Sequence, residues 1–236
     1  MPRAANIALH CSPSHHVAFC GGIGGEAGEH AEWRKFTTFE LATRVPFIVR
    51  PPPGWLPKQR VGGRADGFVE LVDLMPTMAA LAAIASPIAP CETPLGGRSV
   101  VPLLQGAVRD VKPGAFSQYA RRALNASEEW HDNSILHANR TTFTHMGYSI
   151  RTHEWRYTEW RRWNGSTLAA VWTTEGVHAR ELYDHRNETL YPTDFDAGED
   201  FNWAANDTVA RPFAETIADL SRQLRLQFAP TSAARL

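Results

Sequence analysis

Apolar residues recur at two different periods in this chain, and the periods divide it. Near the C-terminus Phe213, Ile217, Leu220, Leu224 and Phe228 follow one another in steps of three and four, which places them on one face of a helix. Pro212 suits the first turn of that helix, where a missing N–H costs no intrahelical bond. Residues 146–152 (MGYSIRT) and 155–163 (WRYTEWRRW) instead have the alternation and aromatic content of strands, and predict a hairpin turning near His153 and Glu154. Phe116–Tyr119 and Glu181–Tyr183 read as two further short strands. The second half therefore predicts a small antiparallel sheet closed by a C-terminal helix.

The first half has a different texture. Val17–Phe19 is a brief apolar run ending in Cys20-Gly21-Gly22, and residues 45–50 (VPFIVR) are a second strand. The PPPGWLP stretch after it is a rigid, extended linker. Residues 66–84 begin extended and become helical. Proline is tolerated only in the first helical turn, so Pro76 places the helix at about 74–84, with Asp73 as N-cap. Residues 85–114 are rich in proline and glycine and read as a long connection. Strands alternating with helix suggest the edge of an α/β sheet. The division expected is an unstructured N-terminal piece at 1–16, part of an α/β core at 17–114 and a C-terminal α+β subdomain at 115–236.

Composition narrows the function. With 236 residues, 43% hydrophobic, 21% charged and a net charge of −1, the chain has the balance of a globular protein and lacks the basic excess of a nucleic-acid binder. No run of 18 apolar residues offers a membrane span. The three cysteines, Cys11, Cys20 and Cys91, form no disulfide framework. Asparagine is more telling. Five of the eight asparagines (Asn125, Asn139, Asn164, Asn187 and Asn206) stand in N-x-S/T sequons, where chance predicts roughly one. They are candidate glycosylation sites on exposed loops and point to a lysosomal or secreted glycoprotein. The first sixteen residues lack the apolar run of a signal peptide, so the expectation is a fragment.

Residues 28–35 (GEHAEWRK), followed by FTTFELATRVPFIV, resemble the sulfatase family of the alkaline-phosphatase-like superfamily. The family pattern there is roughly T-S-D-H-G-x-x-L-G-E-H-x-x-W-x-K, then F-x-x-A-T-x-V-P-L-I. The likeness continues in order through VELVDLMPTMAAL, MGYSIRTHEWRYTEW and ARELYDH, and spans about residues 17–229. It matches only the C-terminal portion of such an enzyme. It implies a partial α/β core, with a parallel sheet that has lost most of its strands, and a C-terminal subdomain carrying a small antiparallel sheet. It also implies hydrolysis of sulfate esters on a sulfated glycosaminoglycan or sulfated sugar, with a formylglycine nucleophile made from C-x-P-S-R and a calcium ion. A hydrated aldehyde supplies the attacking hydroxyl, while cations offset charge developing on the sulfate.

On that pattern Lys35 is the substrate-binding lysine, expected to contact the sulfate; without the resemblance it is an ordinary loop lysine. The calcium Asp-His pair should fall at positions 22 and 23, where this chain has Gly22 and Ile23, neither able to ligate calcium by its side chain. Glu29 and His30 are read as holding the loop. Cys11-Ser12-Pro13-Ser14-His15 approaches C-x-P-S-R but has histidine for arginine, no upstream aspartates and fewer than twenty residues before GEH. No catalytic and no metal residue is therefore assigned, and no bound calcium is expected from this chain alone. Arg151 is expected to be a buried ion-pair former, and the arginine- and tryptophan-rich stretch 151–163 to be structural. The reading is a sulfatase C-terminal fragment, inactive alone. Its alternative is a non-catalytic protein that binds sulfated glycans or acts as a scaffold. A phosphatase or phosphodiesterase of the same superfold is disfavoured by the SIRT and ELYD strings.

Overall fold

The computed structural model describes residues 17–20, 26–28, 30, 33–34, 36–50, 56–84, 96–123, 135, 138–186 and 199–230. Its strands are β1 (Val17–Cys20), β2 (Glu26–Ala27), β3 (Trp33–Arg34), β4 (Phe47–Arg50), β5 (Ala115–Arg122), β6 (Phe143–Arg151), β7 (Trp155–Asn164), β8 (Ala169–Ala170) and β9 (Val177–Asp184). Its helices are α1 (Glu40–Thr43), α2 (Leu74–Leu81), α3 (Val101–Gln105), α4 (Asp207–Ala210) and α5 (Ala214–Phe228). These fall into two compact units. One comprises residues 1–25 and 44–115, the other residues 26–43 and 116–236.

In the first unit β1 and β4 pair antiparallel, Val17 opposite Arg50, where the resemblance implied strands left over from a parallel sheet. The unit is organised around Asp73, which is fully buried. Its carboxylate accepts from the N–H of Arg98 at 2.7 Å, the N–H of Glu70 at 2.8 Å and the ammonium of Lys112 at 2.7 Å. Lys112 also reaches Glu70 at 2.5 Å. The expected N-cap role is thus displaced by one turn. Asp73 makes no side-chain cap to α2 but closes a capping box with Glu70 around the short 3-10 turn Leu71–Asp73. Pro76 lies in the first turn of α2, as the sequence requires. The stretch read as a long connection contains α3, marked by Pro102 at its start and by Gly106 in the left-handed region at its end (φ 75°).

The second unit is a sheet ordered β5-β6-β7-β8, with β9 also on β7. The hairpin turns where the pattern placed it, Arg151 opposite Arg156 around His153 and Glu154. A bulge at Trp160/Arg161 shifts the β7–β9 register. Gly147 faces Trp160, and a Cβ there would stand 2.8 Å from the indole, so glycine is what lets that ring lie across β6. Strand alternation gives β7 two buried faces. On one, Trp155 and Tyr157 join Tyr148, Ile150, Leu182 and the helical pair Leu220 and Leu224 in the apolar core. Phe213, Ile217 and Phe228 pack against it, completing the expected stripe of α5. Glu215 in the first turn and Arg225 in the last match the helix dipole.

The outer edge of β9 is closed by a side chain. Asn202 accepts from the N–H of Leu182 at 3.0 Å and donates to the carbonyl of Arg180 at 3.0 Å, while Trp203 N–H donates to Leu182 O at 2.8 Å.

Candidate functional site

The other face of β7 holds the segment 36–43, directly after Lys35 in the sequence. Thr37, Thr38 and Glu40 are buried in it. Only its last four residues are helical, as α1, and the sheet supplies partners for the backbone before them. Arg121 of β5 donates to Phe36 O at 3.0 Å. Arg156 of β7 donates to Thr38 O at 2.8 Å and to the hydroxyl of Thr43 at 3.2 Å. Phe39 stacks on His30 with ring centroids 3.9 Å apart and meets Tyr183 at 5.6 Å.

Charge is matched within this cluster. Glu40 takes Arg151 at 3.1 Å and also pairs with Arg156. The Nε of Arg156 donates to Glu199, whose second oxygen accepts the N–H of Glu40 at 2.6 Å. His185 Nε2 lies 3.1 Å from Glu199. Burial pushes the Glu199 carboxyl up, but Arg156, His185 and the Glu40 amide outweigh it and bring it down to about 2. Arg156 stays charged, its desolvation overcome by Glu199 and Glu40. Burial raises Glu181, opposed by its bond from the Trp160 N–H at 2.8 Å. The arrangement is a buried network of ion pairs and hydrogen bonds among Glu40, Arg151, Arg156, His185 and Glu199. Its chemistry is to hold residues 36–43 in place.

Three of the four arginines of the stretch 151–163, Arg151, Arg156 and Arg161, are accordingly buried. Arg151 finds Glu40 as the partner the sequence left unnamed. Arg161 pairs with Glu159 at 2.5 Å and lies 4.4 Å over Trp172. Sequence reasoning missed Glu40, Glu199 and His185, which are distant in the chain. One signal was available: two arginines flanking one hairpin turn demand buried acids if that face is covered.

Lys35, Glu29, Gly22, Ile23, Cys11, Cys91, Asn125 and Asn187 lie outside the described residues. Among the described residues no group of three or more His, Cys, Asp or Glu is placed to hold a metal. The remaining sequon asparagines, Asn139, Asn164 and Asn206, are all exposed. Each turns its amide oxygen onto the N–H two residues on, at 3.1 Å to Thr141, 2.9 Å to Ser166 and 3.1 Å to Thr208. That Asx geometry commits the amide oxygen to the backbone and leaves the amide nitrogen as the remaining polar atom of the group. No helix among the described residues is long and apolar enough to cross a membrane.

No family model matches the chain. It is 32% identical over 205 residues to iduronate 2-sulfatase of Mus musculus, covering 71% of this chain and 35% of that protein. The Homo sapiens iduronate 2-sulfatase is 30% identical over 213 residues, 74% of this chain and 37% of its own. Arylsulfatase K of Gallus gallus is 28% identical over 212 residues, 89% and 30% respectively. Among solved structures, the phosphonate monoester hydrolase SpPMH from Silicibacter pomeroyi superposes with a TM-score of 0.57 at 21% identity, over 91% of this chain and 35% of its own. A Bacteroides thetaiotaomicron protein described as a sulfatase gives 0.54 at 23% identity, over 87% and 35%. The chain spans about a third of the length of each. Its sequence motifs, the curated relatives and the mixed helix-and-sheet fold agree: the chain belongs to the alkaline-phosphatase-like sulfatase family.

Proposed function

We propose that this chain is the C-terminal wall of a sulfuric ester hydrolase resembling iduronate 2-sulfatase, and that it does not turn over substrate by itself. The observation that carries the reading is the 205-residue match at 32% identity to the mouse enzyme. Lys35 supplies the sulfate contact, and the buried cluster of Glu40, Arg151, Arg156 and Glu199 fixes the segment that follows it. The substrate class is a sulfated sugar of a glycosaminoglycan, and calcium belongs to the complete site. The compartment is lysosomal or extracellular, supported by the five sequons. The second reading, a non-catalytic binder of sulfated glycans, shares Lys35 and dispenses with turnover.

The test is an assay of the purified 236-residue chain with an aryl sulfate and calcium, beside calorimetric titration with a sulfated and a desulfated disaccharide. No sulfate release is expected. Binding should favour the sulfated sugar, and Lys35→Ala should weaken it by roughly tenfold, the loss of one charge-assisted contact. Sulfate release by the chain alone refutes the inactive reading, and equal affinity for both sugars removes Lys35 from its role.

A further inference from the structure

Two imidazoles and a guanidinium meet on one face of the sheet, at the end far from the β6–β7 turn. His145 of β6 stands directly opposite Arg162 of β7. His178 of β9 lies at the bulge where the β7–β9 register shifts. A bulge re-aims a side chain, and the His178 ring stacks 4.1 Å from that of His145, centroid to centroid, across β7. His145 is half-buried, while His178 and Arg162 are exposed. The hydroxyl of Thr144 donates to Arg121 O at 3.1 Å, so its oxygen accepts from His145 Nδ1 at 3.1 Å. His145 therefore holds its proton on Nδ1, and Nε2 is the atom that takes an added one.

Carboxylates are missing from this corner. Neither imidazole nor Arg162 has an acidic partner among the described residues. Glu181, the acid on the same face of β9, is engaged by Trp160 Nε1 at 2.8 Å. Arg121 of β5 adds a further positive charge over the Trp160 ring at 5.4 Å. Glu175, in the turn before β9, accepts from Thr173 and its own backbone. Farther along the same face, Arg151 and Arg156 are matched by Glu40 and Glu199. Burial, with His178 and Arg162, holds the His145 imidazole below its ordinary value of 6.5. Acidification thus adds like charge where the described chain supplies nothing to offset it.

We propose that His145, Arg162 and His178 form an oxyanion site that fills as the pH falls, its ligand a sulfate group, free or esterified to a saccharide. Arg162 supplies a permanent charge and a fork of donors, and each imidazole adds an N–H donor and a charge when protonated. Sulfate suits such a site better than other oxyanions. It stays fully charged while imidazole takes up its proton, whereas phosphate gives up its second charge near about pH 6. The inference uses no residue of the Lys35 contact and stands without the sulfatase reading.

The experiment follows the histidine ring resonances of the full 236-residue chain between about pH 7.5 and about pH 5. The probes are inorganic sulfate, a sulfated heparin tetrasaccharide and its desulfated counterpart. Sulfate should raise the His145 midpoint, and its affinity should be roughly tenfold higher at the acid end, the gain from added charge-assisted contacts. His145→Phe and His178→Phe keep a stacked ring and remove the proton, so the double variant should lose the pH dependence. Arg162→Gln, at an exposed position, should weaken binding at every pH and serves if the double variant folds poorly. A response to the tetrasaccharide alone makes the ester the ligand, and a response to both makes the sulfate group sufficient; either supports the site. An unmoved His145 midpoint overturns the proposal, as does binding unchanged in the variants or equal binding of the desulfated sugar. Loss of the response in Lys35→Ala also overturns it, by assigning the anion to the Lys35 contact. A response that survives Lys35→Ala keeps this site whether or not the Lys35 reading holds.

Discussion

Arg151 and Arg156 face each other across the last rung of the β6–β7 hairpin, and both close on the single carboxylate of Glu40. Two like charges in directly opposed positions destabilise a strand pair when nothing intervenes. Here Glu40 and Glu199 convert that conflict into an anchor for residues 36–43. The balance makes the cluster sensitive to the loss of any one member.

Arg156→Ala leaves Glu40 and Glu199 buried beside too little positive charge. The expected loss is about 3–5 kcal/mol, the cost of breaking a buried pair from one side. Urea denaturation of the variant measures it. In a double-mutant cycle with Glu199→Gln the two losses should be strongly non-additive; additive losses contradict the direct pairing.

Acid should weaken the protein through Glu199. Its carboxyl is held at about 2 against an ordinary value of 4.5. A depressed acid contributes stability that is complete above its unfolded value and is lost as the pH falls toward the folded one. The contribution, on the order of 3 kcal/mol, should disappear between about pH 5 and pH 2. Glu199→Gln should flatten that part of the stability profile, read from denaturant midpoints at stepped pH.

Gly147→Val drives a branched side chain into the Trp160 ring. The expected cost is about 1–3 kcal/mol, as for other overpacked sites. Trp160 fluorescence should change with it as the indole is displaced. The double variant Gly147→Val, Trp160→Ala should recover part of the loss.

Expression in a eukaryotic secretory system should yield a protein whose mass falls on enzymatic deglycosylation. Replacing Asn139, Asn164 and Asn206 by Gln, one at a time, should each remove one glycan increment. Asn164→Gln should also cost stability, about 0.5–1 kcal/mol, because its amide oxygen holds the turn through both Ser166 and Thr167. Unchanged mass in all three variants rules these sites out.

What was legible in the sequence was whatever one side chain's neighbours along the chain can specify. The α5 stripe, the β6–β7 hairpin and Pro76 in a first turn are local patterns, and each appears where the periodicity put it. The site is another matter. Glu40 is bound by residues more than a hundred positions away, and Glu199 reaches it from the far side of the subdomain in sequence. No window of periodicity contains such a pair. Asp73 shows the intermediate case: its type and place suggested a cap, but three other donors compete for the same oxygens and win. The short α3 was hidden because proline and glycine read as loop until their positions at the two ends of a helix are recognised.

Asn202 gives the sheet a different kind of ending. A bare outermost strand offers its amides to any passing polypeptide, and self-templated growth starts there. By spending one carboxamide on Arg180 and Leu182, the molecule plugs those sockets without needing another strand. Recruitment of foreign chains at Arg180 and Leu182 therefore meets positions that are already occupied.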